Sequence, residues 1–268
     1  MKKTLEIGTI AGLIFGIVSI FGSFITEGGR IGALIMIPAM TIVFGGTFAT
    51  AMIGTSFKQF SKIWKFALIA FIPVRHDVDS LIETIVKYAT IARKEGLLVL
   101  EKELNGINDR FLKKMLQFAI DGTDPQTMRA LADAEMGFLN ERHMANAGVF
   151  QKMGGYSPTM GIIGTVMGLV VTLANAGGDP NELIHHIATA FIATLWGIFM
   201  ANIVWLPIAD KLKTVHGEEN LFMEMTVEGV LALQAGEIPA IVRARLKAML
   251  PSSEQGADYA KESSRRTR

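Results

Sequence analysis

Two stretches of small residues carry hydroxyl groups at helical spacing. Within residues 156–176, Gly161, Gly164, Thr165, Gly168 and Thr172 recur at i, i+3, i+4, i+7 and i+11. Within 185–207, Ala190, Ala193, Thr194, Gly197 and Ala201 repeat that spacing. On a helix such positions share one face. Threonine oxygens on that face can line a narrow polar path and offer a ligand to a cation. Small residues in a stripe also let two helices approach closely in lipid, so the spacing alone leaves both readings open. Neither stretch holds an acidic residue, although membrane proton relays use Asp, Glu or His. If the chain moves ions, another polypeptide must supply the carboxylate.

Other chemistry is thinly represented. His185 and His186 are adjacent. Neighbouring helical residues point about 100° apart, which suits an interfacial position better than a metal pair. Cysteine is absent, so disulfides and thiolate metal sites are excluded. There is no GxSxG, P-loop, HExxH or dinucleotide fingerprint, and the chain is expected not to be an enzyme. No metal site and no bound cofactor are expected. The net charge of +1 gives no footing for nucleic acid.

The elements that hold these residues follow from the gaps between charges. Half of the 268 residues are apolar. No Asp, Glu, Lys or Arg lies between Glu6 and Glu27, Arg30 and Lys58, Lys152 and Asp179, or Glu182 and Asp210. A helix needs about 20 residues to cross roughly 30 Å of hydrocarbon. The gaps predict spans at 7–25, 32–54, 156–176 and 185–207. The first is an uncleaved helix, because no cleavage site follows it. Lys2 and Lys3 precede the first span, Lys58, Lys62 and Lys65 follow the second, and Lys211 and Lys213 follow the fourth. The positive-inside rule then puts both termini in the cytoplasm. The expected fold is all-α, a polytopic membrane protein with four transmembrane helices.

A helical cytoplasmic domain, residues 55–155, is inserted between the second and third spans. It opens with SFKQFSKIWKFALIAFIP. That segment reads either as an amphipathic helix on the membrane surface or as a helix packed on the bundle. Ser80 and Glu83 have capping-box spacing ahead of a helix expected to reach Leu104. Asp124-Pro125 opens another, predicted to run unbroken into the third span. Cytoplasmic helices are expected over 208–250, ending near Pro251, and the polar tail 251–268 is expected to be disordered.

The third span opens GGYSPTMGIIGTVMGLV with Pro158, and the fourth reads AFIATLWGIFMANIVWLPIADKL with Pro207. The insertion holds ARKEGLLVLEKEL, with Arg93 and Glu101, and EGVLALQAGEIP occupies 228–239. In these motifs the chain resembles the MotA, PomA and MotP family of flagellar motor stator subunits, within the wider MotA/TolQ/ExbB family. The resemblance implies a homo-oligomeric ring, a pentamer, in the bacterial inner membrane. It implies a MotB-type partner that brings the membrane Asp, passage of H⁺ or Na⁺, and a push on the rotor protein FliG through Arg93 and Glu101. It makes Thr165, Thr194, Gly161, Gly164, Gly168, Ala190 and Gly197 the ion-path and partner-facing positions, with Pro158 and Pro207 conformational. Thr165 matches sodium-type relatives, whereas several proton-type ones have Ala.

Two geometric expectations follow. Arg93 and Glu101, eight residues apart on one helix, would point about 80° apart and share a face. With Pro158 and Pro207 taken as level, Thr165 would lie about 10 Å and Thr194 about 20 Å deeper, leaving about two turns between them. The alternatives are an ExbB/TolQ-type energiser, which has three spans and an outside N-terminus, or a self-sufficient ion transporter, which should show inverted repeats and its own buried charges.

Overall fold

The chain is almost entirely helical in the computed structural model, which describes residues 2–252 except Ala176 and Gly178. It divides into two compact units. One comprises residues 3–74 and 141–215, the other 75–140 and 216 onward. Of the expected insertion, 55–155, only residues 75–140 belong to the second unit. Residues 55–74 and 141–155 fold with the apolar spans.

In the first unit, α1 (Ile7–Thr26) is followed by a 3₁₀ turn at Ile31–Leu34 and by α2 (Ile37–Ile53). Two short helices come next, α3 (Phe57–Phe60) and α4 (Ile63–Phe71). Beyond residue 75, α5 (Val78–Glu95) and α6 (Arg110–Ile120) lead to α7 (Pro125–Ala174), α8 (Pro180–Gln234) and α9 (Pro239–Ala248). The described strands, Lys2–Lys3 and Val74–Arg75, are two residues each and pair with one another.

Among the described residues, three helices are long and apolar enough to cross a membrane: α1, α7 and α8. The second expected span, 32–54, is shorter. Its helix, α2, begins at Ile37 after a break at Ile35–Met36, and its middle, Thr41–Gly45, is π-helical. Seventeen residues rise about 25 Å at 1.5 Å each. A second π-helical segment, Met200–Trp205, interrupts α8 immediately before Pro207. Proline lacks the N–H for an i→i−4 bond, and a π turn is one way for a helix to absorb that loss. Hence α8 passes through Pro207 unbroken.

Helix starts follow side-chain chemistry. Asp124 accepts the Thr127 N–H at 3.0 Å, and Asp109 accepts that of Leu112 at 2.8 Å. The expected capping box is displaced: Asp77, not Ser80, caps α5, accepting the Ser80 N–H at 3.0 Å. An acceptor carboxylate three residues earlier outcompetes the serine. The tail from residue 253 lies outside the described residues.

The core of the second unit joins Leu81, Ile82 and Ile85 of α5 to Met115 and Leu116 of α6, Met128 and Ala132 of α7, Met225 and Leu233 of α8, and Val242 and Leu246 of α9. A Cβ on Gly229 would lie 2.5 Å from Ile85 Cδ1, so α5 and α8 touch through a glycine there.

Candidate functional site

The two small-residue stripes meet each other. A Cβ built on Gly161 would lie 2.9 Å from Ala193 O, one on Gly164 2.7 Å from Ala193 Cβ, and one on Gly168 2.9 Å from Ala190 Cβ. From the other side, a Cβ on Gly197 would lie 2.7 Å from Ser157 O. These positions hold α7 and α8 at backbone contact, which only Gly and Ala allow. The structure thus seats Gly161, Gly164, Gly168, Ala190 and Gly197 inside the chain, at the crossing of its own helices. Contact between the two helices of one chain accounts for the spacing of these residues. Packing is the reading the spacing had left open.

The threonines sit on this crossing, and they are level. Thr165 Oγ1 is 2.5 Å from Thr194 Oγ1, 2.9 Å from Ala190 O and 3.1 Å from Gly161 O. The separation of about two turns expected from the sequence is therefore wrong. Its premise was that Pro158 and Pro207 mark one level. Instead Ser157, beside Pro158, meets Gly197, ten residues before Pro207 in the sequence. With the helices antiparallel, that offset brings Thr194 up to Thr165.

The arrangement gathers four oxygens, two hydroxyl and two carbonyl. A hydroxyl has one proton, so Thr165 donates to only one of these oxygens at a time, and either threonine can be the donor between the two hydroxyls. The bond of Thr165 to Gly161 O is the local i−4 bond common for Thr in membrane helices. Its bond to Ala190 O is not local, because it takes the carbonyl that Thr194 would use in its own i−4 bond. Both threonines are only partly buried. Such oxygens can coordinate a cation that has shed water, or hold water in a proton path.

The surrounding residues brace the crossing. Trp196 Nε1 donates to Leu34 O at 2.9 Å, tying α8 to the turn ahead of α2. Thr189 Oγ1 donates to His185 O at 2.9 Å. The rings of His185 and His186 are inclined at 56°. Ser157 is fully buried, and its Oγ has no partner among the described residues. The sequence reading passed it over, although it extends the Gly161 stripe by one turn.

In the other unit, Arg93 and Glu101 are both exposed but stand on different elements. Arg93 lies in the last turn of α5, which stops at Gly96, and Glu101 lies in a 3₁₀ turn, Leu97–Lys102. Gly96 has φ 87° and ψ 162°, backbone that essentially only glycine adopts. The single helix reaching Leu104 is thus corrected, and with it the shared helical face. Leu100 and Leu104 are buried and pin the turn, leaving Leu98 72% exposed. Lys87 and Glu103 form an ion pair at 2.8 Å across the same turn. The hydrogen bond and charge of Glu103 raise the pKa of Lys87, which stays protonated.

Comparison with known proteins decides the family. Residues 103–225 match the MotA/TolQ/ExbB proton channel family, and residues 10–96 match the motility protein A N-terminal family. Motility protein A of Bacillus subtilis is 32% identical over 256 residues, covering 95% of this chain and 93% of that protein. The chain belongs to the MotA/TolQ/ExbB proton channel family. Within this family it is also 34% identical to chemotaxis protein PomA of Vibrio alginolyticus, over 95% of this chain and 99% of that one. The solved flagellar MotAB stator complex from Bacillus subtilis has a chain 32% identical to it, with a TM-score of 0.86 over 92% of this chain and 96% of that one. The C. jejuni MotAB structure matches with a TM-score of 0.87 at 27% identity, over 92% and 97%.

Proposed function

We propose that this flagellar stator subunit forms a cation path with a MotB-type partner, and that the Thr165–Thr194 pair is part of it. The observation that carries the reading is the oxygen cluster at a close helix crossing, within spans that contain no carboxylate. A carboxylate brought by the partner, alternately charged and neutral, can meet those oxygens, and the cation, H⁺ or Na⁺, moves with it. The full-length likeness to motility protein A relatives and to MotAB complexes supports a partner of that type. It also favours a stator over a TolQ-type energiser.

The rest of the assembly is part of this proposal. The 3₁₀ turn Ile31–Leu34 together with α2 gives the second span the length that α2 alone lacks. The chain spans the bacterial inner membrane four times with both termini cytoplasmic. It forms a homo-oligomeric ring, a pentamer, around the partner. Arg93 and Glu101 meet FliG, so that turning of the ring drives the rotor.

The test is rotation in a strain carrying only this stator. Tethered-cell speed is recorded while the sodium and proton gradients are collapsed separately. Rotation should follow one gradient, and Thr165→Val should change its ion dependence. Unchanged speed and ion dependence in both Thr165→Val and Thr194→Val would reduce the crossing to packing.

A further inference from the structure

The first unit has an open apolar cavity of about 550 Å³, lined by neither threonine of the pair. Phe44 and Phe48 of α2, Trp64 and Leu68 of α4, and Val204 and Trp205 of α8 are among its walls. The volume is that of a small-molecule site, which typically measures about 300–1,000 Å³. Such sites normally add a few polar groups for orientation, but the lining here is aliphatic, aromatic and thioether, its only N–H donors the indoles of Trp64 and Trp205, of which Trp205 Nε1 is buried without a partner among the described residues. An occupant held here is therefore a hydrocarbon.

The entrance carries the second observation. On α4, Ile63, Phe66 and Ala70 are buried in the unit, so the helix is packed on the bundle. Even so, Trp64 and Leu68, both lining the cavity, remain 69% and 60% exposed, and Phe57 on α3 is 74% exposed. The same short segment bears Lys58, Lys62 and Lys65, all exposed. None of the three has an acidic partner among the described residues, whereas Lys87, Lys114 and Lys211 each do. Exposed Trp beside unpaired Lys, at the end of an apolar helix, marks the headgroup level of a bilayer. Clustered lysines there attract anionic lipid.

We propose that this cavity holds one acyl chain of an anionic glycerophospholipid, whose phosphate is engaged by Lys62 and Lys65. The inference rests on the membrane-spanning reading of α1, α2, α7 and α8. It places a lipid against Val204 and Trp205, within the π-helical segment that precedes Pro207, so lipid charge and chain length would bear on that segment of α8.

The test uses the full-length stator complex in detergent, titrated with phosphatidylglycerol or phosphatidylcholine and read by native mass spectrometry. About one phosphatidylglycerol should bind per copy of this chain, about 30-fold more tightly than phosphatidylcholine, which is about 1 kcal/mol for each of two lysines. Lys62→Gln with Lys65→Gln should remove that preference while leaving some binding of both lipids. Ala67→Phe, which fills the cavity, should remove binding of both. Equal affinity for the two lipids in the unaltered complex, or full phosphatidylglycerol binding by the Ala67→Phe complex, would overturn the proposal. So would a photoreactive benzophenone amino acid in place of Trp64 that captures a second copy of the chain instead of lipid. A chain recovered from cells without detergent would instead defeat the membrane reading itself.

Discussion

At the residue scale, the threonine pair changes what substitution should do. Hydroxyl groups 2.5 Å apart, one of them bonded to Ala190 O, belong to one site, and the effects of their removal should not add. Thr165→Val and Thr194→Val should each raise the cation concentration for half-maximal speed about tenfold, the loss of about 1.4 kcal/mol of oxygen contacts. The double variant should be little worse than either. Torque measured against cation concentration checks this, and fully multiplicative effects would separate the two residues. The stripe and its hydroxyls were legible because helical period is written in residue spacing. The level of the threonines was not, because the register of two antiparallel helices is fixed by where their glycines touch. That contact lies at Gly161 and Gly197, not at the prolines. A similar limit applies to Arg93. Arg93→Glu should impair swimming while membrane level and assembly stay normal, and a charge reversal on FliG should restore part of it. If Arg93→Glu with Glu101→Lys swims normally against unaltered FliG, the rotor assignment is wrong.

At the element scale, the turn that carries Glu101 depends on Gly96. With φ 87° and ψ 162°, any side chain there costs of order 1–3 kcal/mol of backbone strain. Gly96→Ala should therefore reduce motility without altering either charged residue, while the level of the protein in the membrane changes little. Normal swimming would show that the relative placement of Arg93 and Glu101 is unimportant. The break was hidden from periodicity because the apolar residues Leu97, Leu100 and Leu104 continue a helical rhythm across the glycine. A second prediction concerns Arg129, which joins α7 to α8 through Glu224 at 2.6 Å and Glu228 at 2.8 Å. Burial works against its charge, and the hydrogen bonds with Glu224 and Asp133 outweigh that, so its pKa is raised. Its side chain is 35% exposed, and its partners 28% and 29%. After discounting for solvent screening, Arg129→Ala should lower stability by about 1–2 kcal/mol. A thermal melt of the detergent-purified chain measures this. An unchanged midpoint would make the cluster a solvated surface feature.

At the scale of the whole molecule, the distribution of charge sets what the chain can do alone. From Ile7 to Thr26, Ile37 to Ile53, Tyr156 to Ala174 and Leu183 to Ala209, no Asp, Glu, Lys or Arg occurs. Moving a bare cation across these helices would leave it with hydroxyl and carbonyl oxygens and no compensating charge, and burying an unpaired charge is among the costliest arrangements in a membrane. The surface of α1 shows the same incompleteness, since none of its residues is buried within the chain. Long apolar spans were legible from the gaps between charges. The shortness of α2 was not, because a charge-free run records what can enter lipid and says nothing of where a helix starts. From this follows the prediction with the widest reach. Reconstituted alone into liposomes under a cation gradient, the chain should leak no faster than empty vesicles. Reconstituted with its MotB-type partner, it should conduct, and replacing the partner's membrane Asp with Asn should return the flux to the empty-vesicle level. The Thr165→Val chain should reduce the flux of the pair without changing how much partner it retains. If the chain alone conducts as well as the pair, the oxygens at the α7–α8 crossing suffice for passage, and the carboxylate is not part of the path.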